Sequence, residues 1–408
     1  MSSINNLNIA VKELTECRVC GSQRMRRVIE LPDLPLTGIF ISQKEKNSSR
    51  KKYPNFNQVF LRCDECGHGQ LLNSVSPSYL YQDTYTHRTS KSAISKSGNE
   101  FFYKFLKAVG RDRTFRCCLE VGCNDLYLLN KLGSICEYRY GIDPVWPKGL
   151  SREPGNIKVI GGYIEEVSLE NMLSEEPDLV ISAHTFEHLE HPCKALQKVF
   201  KIAAKDALFI IEVPCFDTLV TTFRFDQIFH QHINYFSTAS MLHLIKAVGG
   251  EYVNHTYNFD YWNGTLLIAF RKSSLISNNE LNITAPLSED IERNYCIFRK
   301  ILEYCRATLD FYSKKGIPIF AFGAAQMLPV LAYHLQTDFA EIEAILDDNP
   351  EKDSLVYPTL KPVIHTVENS SFSRNSAIIV TALDSFKAII SRLISLSPRY
   401  IVHPLLVS

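Results

Sequence analysis

The sequence predicts an α/β protein built on an open, doubly wound parallel sheet. A small metal-binding lobe precedes the sheet and a second, smaller α/β unit follows it. Three observations carry that prediction. Residues from about 115 to 272 alternate strand-like and helical segments at the spacing of successive βαβ units. Two Cys-x-x-Cys knuckles, Cys17/Cys20 and Cys63/Cys66, come before them. A further strand, small-residue turn and helix recurs at 316–326.

Residues 118–129, Cys-Leu-Glu-Val-Gly-Cys-Asn-Asp-Leu-Tyr-Leu-Leu, organise the main sheet. They read as a buried strand carrying Glu120, a tight turn at Gly122, and a helix start with Asn124 and Asp125. The next strand, 138–142, leads into an acid at Asp143. This order suits a nucleoside site: the turn lets a ligand approach the backbone, and the acid bonds ribose hydroxyls. A dinucleotide fold would show Gly-x-Gly-x-x-Gly, and this stretch has one glycine. An acid at the strand end before a single glycine fits S-adenosylmethionine better than NAD. An ordinary βαβ unit with no ligand is the plain alternative.

Composition narrows the class. The chain has 408 residues, 45% hydrophobic and 22% charged, enough for two or three domains. Lys plus Arg equals Asp plus Glu, so no net field favours nucleic acid or an anionic membrane. Residues 1–6 lack the basic and apolar regions of a secretory signal. No apolar run approaches the roughly 20 residues that span a bilayer. The expectation is a soluble cytoplasmic protein, where clustered cysteines suggest metal and scattered ones packing.

In chain order, each knuckle is followed by glycine, Gly21 and Gly67, which lets backbone amides turn toward the sulfurs. Four thiolates can then close a tetrahedron around a structural zinc, with strands at 28–31 and 58–62 bringing the knuckles together. The turn-rich loop 31–38 is expected to pack on this lobe, and the lysine-rich 42–53 to be an exposed loop. Residues 79–90 are aromatic and hydroxyl-rich, and a helix follows at 91–109. Strands are placed at 117–121, 138–142, 159–161, 179–183, 207–212 and 266–270. Helices are placed at 127–132, 169–172, 192–203 and 238–248.

The fourth strand runs into His184-Thr-Phe-Glu-His188-Leu-Glu-His191-Pro192. The spacing of His184 and His188 is that of zinc proteases. However, no glutamate follows the first histidine, and Pro192 opens a new helix. A pocket wall beside the cofactor, with His188 toward substrate, suits the stretch better than a metal. The fifth strand leads on to Phe229-His230-Gln231-His232, where histidines suggest acid–base work. A polar boundary at 277–282 precedes a long amphipathic helix, 288–314. Strands are then expected at 344–346, 377–381 and 399–402. The amides of the Gly323 turn could meet a phosphate.

Together these residues resemble the bacterial sugar C-methyltransferases that act on nucleotide-linked 4-keto-deoxysugars. The parts come in that family's order. First is the lobe of Cys17, Cys20, Cys63 and Cys66, then a Glu-x-Gly-x-Asn-Asp turn at Glu120, Gly122, Asn124 and Asp125. Next is a His-Gln-His stretch before Tyr-Phe-Ser at 230–237, and last Gly-Ala-Ala and Asp-Asp-Asn-Pro at 323–325 and 347–350. The resemblance implies a class I S-adenosylmethionine methyltransferase fold. It implies a zinc lobe and connector at 1–80, a methyltransferase domain at 81–275, and a Rossmann-like domain at 276–408 that closes on the nucleotide sugar. Gly122, its neighbours and Asp143 would hold the cofactor, with Ala183 and His184 beside it. A proton leaves the carbon next to the ketone and the resulting enolate takes the methyl. On the matching positions His232 is the base, Gln231 holds its other nitrogen, and His230, His188 and Tyr85 complete the catalytic set. Such a carbon is acidic enough for an imidazole if the enzyme supplies position and an oxyanion partner.

The departures are specific. Phe229 stands where the family has a tyrosine that could stabilise an enolate, and Gln231 where it has a glutamate. Leu126 replaces a usual glycine, and His87 a second tyrosine. Three readings follow: C-methylation of a nucleotide-activated keto sugar, O- or N-methylation of a sugar or related metabolite on the same scaffold, and a binding protein without turnover. All take a small-molecule partner, with no nucleic acid or membrane, in a monomer or weak homodimer.

Overall fold

The computed structural model describes residues 10–48, 53–80, 89–170, 172–272 and 283–405. Its centre is an eight-stranded sheet. From one edge to the other the strands are Gly250–Asn258, Thr265–Lys272, Leu208–Pro214, Leu179–Ala183, Phe115–Val121, Cys136–Asp143, Ile157–Gly161 and Gly149–Glu153. The inner five run parallel, and Thr265–Lys272 returns antiparallel beside Leu208–Pro214. Strand order reverses between Phe115–Val121 and Leu179–Ala183, which opens the crevice where such sheets bind ligands.

These strands are apolar runs because helices cover both faces. All seven residues of Leu208–Pro214 are buried. Leu119, Val121, Phe209 and Ile211 face one apolar layer, and Cys118, Leu208 and Ile210 the other. The helices Ala93–Gly110, Pro192–Ile202 and Thr238–Ala247 fall within one or two residues of expectation. Of the helix expected at 169–172, residues 169, 170 and 172 are not helical, and Met172 N–H donates to Leu169 O at 3.1 Å. The edge strands Gly149–Glu153 and Gly250–Asn258 were not expected. The first is largely exposed, and neither shows a clean apolar alternation.

The N-terminal knuckles sit on a four-stranded antiparallel sheet of Met25–Leu34, Phe56–Cys63, Gly69–Leu71 and Asn234–Tyr235. Its last strand comes from far along the chain, just after His230 and His232. The C-terminal third forms a five-stranded parallel sheet: Ile364–His365, Ala344–Leu346, Ile319–Phe322, Ala377–Val380 and Tyr400–Val402. Helix Ser288–Lys314 packs it through Ile291, Phe298, Leu302, Cys305 and Leu309, the three- and four-residue spacing of one helical face.

The expected exposed loop at 42–53 is instead helical over Gln43–Ser48. Lys46 Nζ donates to the carbonyls of Tyr357 (3.0 Å) and Leu360, and Ile41–Ser42 pairs with Leu355–Val356. A long lysine can cover apolar surface while its ammonium meets carbonyls, so Lys46 turns inward although residues 42–44 are exposed as expected. The polar boundary at 277–282 lies outside the described residues.

Candidate active site and zinc lobe

A cavity of ≈ 1320 Å³ lies beyond the carboxyl ends of the main sheet, and all three parts of the chain line it. At its cofactor end, Gly122 has φ +82°, and a Cβ there would stand 1.8 Å from Thr185 Oγ1. Only glycine leaves that cradle open to a ligand. Glu120 is 3% exposed, and its Oε2 has no hydrogen-bond partner among the described residues. Burial, then the nearby Asp143 and Asp125, hold its carboxyl well above the ordinary range. Asp143 lines the cavity while its oxygens accept from the N–H groups of Asn124 (2.8 Å) and Val145 (2.9 Å). An orphaned buried carboxyl oxygen and a glycine cradle fit S-adenosylmethionine.

Asn124 and Ala183 also line the cavity, whereas Asp125 does not; its Oδ2 accepts from Ser90 N–H at 2.9 Å. Leu126 adopts φ +66°, which explains why a glycine suits this position. The left-handed cost of about 1–2 kcal/mol is offset by burying its side chain, 5% exposed.

In the middle of the cavity stand three histidines. His232 is 4% exposed, with ring centroids 4.2 Å from Phe229, 5.2 Å from Trp262 and 4.9 Å from His188. Burial, then His188 and His184, hold its imidazole far below the usual histidine range, so it is neutral. His188 donates from Nδ1 to Gln231 O at 2.8 Å. His184 lies 3.3 Å from Glu187 Oε1 through Nδ1. Burial opposes its charge, but Glu187 and Glu212 outweigh burial and raise its pKa.

Two expectations are corrected here. Gln231 does not hold His232: its amide donates to Thr37 O (3.1 Å) and accepts from Thr37 Oγ1 (2.8 Å), while its backbone carbonyl orients His188. His230 does not reach the cavity; its Nε2 meets Leu34 O at 3.0 Å and its Nδ1 lies 3.5 Å from Gln58 Nε2, inside the lobe interface. Residues 229–232 form a turn closed by His232 N–H to Phe229 O at 3.1 Å, so His230 and His232 face different ways, which composition does not show. Tyr85 and His87 lie outside the described residues. Sequence reasoning passed over Tyr261 and Trp262 and counted Glu187 only within the acid- and histidine-rich 184–191 stretch; all three line the cavity. An Asn-Gly pair at Asn263-Gly264 between two strands was the available signal for the hairpin that presents Tyr261 and Trp262.

The four cysteines Cys17, Cys20, Cys63 and Cys66 converge, with sulfurs within 4.8 Å of one another. Gly21 N–H donates to Cys17 O (2.8 Å) and Gly67 N–H to Cys63 O (3.0 Å), forming two matched knuckles. Thiol sulfurs this close, unpaired by disulfides, fit a closed tetrahedral zinc with no open position. His68 is not a ligand in this set; its Nε2 is 3.2 Å from Asn234 Oδ1. Asn234 Nδ2 donates in turn to Phe186 O (3.2 Å) and Leu189 O (2.7 Å), and Arg18 between the first two cysteines reaches Glu190 O. The lobe therefore holds the 186–190 segment that carries Glu187 and His188.

On the far wall, the expectation that the Gly323 turn offers free amides is also corrected. Gly323, Ala324 and Ala325 donate to Leu346 O (2.8 Å), Asp347 Oδ2 (2.7 Å) and Gly323 O (2.9 Å). Lys352 Nζ joins the cavity wall 3.2 Å from Asp347 Oδ2.

Residues 93–255 match the family described as "Methyltransferase domain", and residues 17–81 that described as "Putative zinc binding domain". The C-methyltransferase NovU of Streptomyces niveus is 24% identical over 263 residues, 63% of this chain and 61% of NovU. Among solved structures, the N-methyltransferase NodS of Bradyrhizobium japonicum with S-adenosylhomocysteine is 16% identical, covering 47% of this chain and 92% of NodS, with a TM-score of 0.34. The magnesium protoporphyrin IX methyltransferase of Synechocystis is 14% identical, covering 47% and 91%, with a TM-score of 0.35. Among the described residues no helix is long and apolar enough to cross a membrane. Strand order, cofactor cradle, four-cysteine lobe and the two matched domains together show an S-adenosylmethionine-dependent methyltransferase domain that follows a zinc-binding domain.

Proposed function

We propose that the protein methylates carbon next to the ketone of a nucleotide-activated 4-keto-deoxysugar. One observation carries this reading: the ≈ 1320 Å³ cavity runs from the Gly122 cradle past the histidines to the Gly323 wall. Pockets for a single small ligand hold about 300–1,000 Å³, so this one suits a cofactor and a second, large ligand together. The C-methyltransferase match points the same way.

Bound S-adenosylmethionine supplies a methyl already activated on a sulfonium. Glu120, Gly122, Asn124 and Asp143, with Ala183 and His184 nearby, hold and orient it. Phe229, Tyr261 and Trp262 keep water from the reacting carbon, and the nucleotide lies toward residues 276–408. A proton on the carbon beside the ketone passes to the histidine cluster, where neutral His232 and His188 stand together. The electron pair left on carbon then takes the methyl. Twelve cysteines free of disulfides suit a reducing, cytoplasmic setting.

The test is calorimetric titration with S-adenosylhomocysteine, then with dTDP, GDP, CDP and UDP in its presence. Binding of the product cofactor and one nucleotide supports the reading. The 4-keto sugar of that nucleotide should then exchange its α-hydrogen for solvent deuterium without methyl donor. O- or N-methylation is the second reading, favoured by the absence of a phenol at Phe229. Cofactor binding without nucleotide binding or deuterium exchange would select it.

A further inference from the structure

We propose that Gln227 is a positioning residue for the base: it fixes the two aromatic side chains that hold His232 and ties them to Asp384 of the C-terminal unit. This role rests on the keto-sugar reading, in which His232 takes the proton. His232 has no ring hydrogen bond among the described residues, so packing sets its orientation. Phe229 and Trp262 supply that packing. Their ring centroids lie 4.2 and 5.2 Å from the imidazole, at interplanar angles of 37° and 27°, while His188 stands edge-on at 4.9 Å.

Both aromatic residues hang on Gln227. Its Nε2 donates to Trp262 O at 2.8 Å. Its backbone carbonyl accepts from the Tyr235 hydroxyl at 3.3 Å, and that hydroxyl oxygen accepts from Phe229 N–H at 3.1 Å. Gln227 N–H donates to Arg224 O at 2.9 Å, within the short helical turn Phe225–Gln227. Gln227 is 3% exposed and lies behind the cavity wall, whereas Phe229, His232 and Trp262 line it. A change at position 227 therefore reaches a ligand only through those rings.

Trp262 needs the support. It has φ +54° and Asn263 φ +56°, in a turn closed by Gly264 N–H to Tyr261 O at 3.0 Å. Two left-handed central residues favour asparagine and glycine, and a tryptophan there is a steric outlier. Strain of this kind persists only where surrounding contacts over-determine it. Gln227 Nε2 also lies 3.3 Å from Asp384 Oδ1, which accepts from Arg224 Nη1 at 2.8 Å. Asp384 follows strand Ala377–Val380 of the C-terminal sheet. The unit toward which the nucleotide is placed thereby takes part in aiming the base.

The test uses full-length protein labelled with fluorotryptophan. The chain has two tryptophans, Trp146 and Trp262, so fluorine NMR gives two lines, and Trp146→Phe assigns them. His232→Ala should shift the Trp262 line and leave the other in place. Gln227→Met keeps the side chain's length, removes the donor, and should shift or split the Trp262 line. Tyr235→Phe removes only a hydroxyl, and serves if Gln227→Met does not fold. It should move the line too, because the Phe229 it releases stacks on Trp262 at 6.4 Å. The same samples are assayed for solvent deuterium exchange beside the ketone of dTDP-, GDP-, CDP- and UDP-linked 4-keto-6-deoxyhexoses. Gln227→Met should lower kcat for exchange at least about tenfold and Tyr235→Phe at least about threefold, with KM within about twofold, because a displaced base costs rate rather than binding. A Trp262 line that neither variant moves overturns the inference. So does a moved line with kcat unchanged, or a loss confined to KM. No exchange by the wild-type chain on any of the four sugars, with the Trp262 line moving as expected, sinks the keto-sugar reading and leaves the placement of His232 standing.

Discussion

Replacing Gly122 by alanine should weaken both cofactor binding and the fold. Two costs add. At φ +82° an L-residue pays about 1–2 kcal/mol for the left-handed conformation. The new Cβ would also stand 1.8 Å from Thr185 Oγ1, 2.9 Å from its Cβ and 3.0 Å from its Cγ2. Rotating Thr185 moves the hydroxyl and methyl but not its Cβ, so the 183–188 turn must shift. Strain of that kind costs roughly 1–3 kcal/mol. The same turn carries His184 and His188, and the cradle it closes is where the cofactor would approach the backbone. S-adenosylhomocysteine affinity should therefore fall at least about tenfold, or about 1.4 kcal/mol, by calorimetry. Urea unfolding should show a loss of about 2–5 kcal/mol. Adding Thr185→Ala removes Oγ1 and Cγ2 and leaves the 2.9 Å contact and the φ cost, so it should restore part of both losses. Unchanged affinity in Gly122→Ala, or no recovery in the double variant, would refute the argument.

Three further outcomes follow from buried groups. Arg224 is 3% exposed and bonds both oxygens of Asp226 (2.9 Å each) and Asp384 Oδ1 (2.8 Å), so Arg224→Met leaves two carboxylates uncompensated. It should cost about 3–5 kcal/mol in urea unfolding, and a loss under about 1 kcal/mol would contradict this. His334 is fully enclosed, with burial and then Arg299 lowering its pKa to about 3 from 6.5. Below pH 6.5 the unfolded chain takes up a proton that the folded chain refuses, so stability falls with pH, by about 2 kcal/mol at pH 5. His334→Phe should lessen the pH 7 to 5 decline by that amount, and parallel declines in both proteins would count against it. Stripping zinc should speed amide exchange across residues 186–190, because the lobe anchors them through Arg18, His68 and Asn234. Exchange that stays slow after zinc removal would show the segment holds itself.

Local chemistry was legible from the chain. Gly122 sits in a turn that only glycine keeps open, and the two knuckles are set by Cys-x-x-Cys spacings. Helix Ser288–Lys314 declares itself by one apolar face repeating every three or four residues. Parallel strands buried on both faces leave continuous apolar runs that need no partner to be seen. These features depend on neighbours a few residues away, so composition and spacing determine them.

What only the tertiary structure decided is which distant residues share the cavity. Gln231 turns its amide to Thr37, 194 residues earlier, rather than to His232. His230 faces the lobe and His232 the cavity, because the 229–232 turn, closed by His232 N–H to Phe229 O at 3.1 Å, swings them apart. Asn234–Tyr235 completes the zinc-lobe sheet, and that pairing brings His232 to Glu187 and His188. Leu126 shows the same division: the chain reveals a leucine where a glycine suits, but only the packing that buries it shows why the backbone tolerates it. Long-range pairing rests on shape and burial summed over many side chains, and no single stretch of sequence carries that sum.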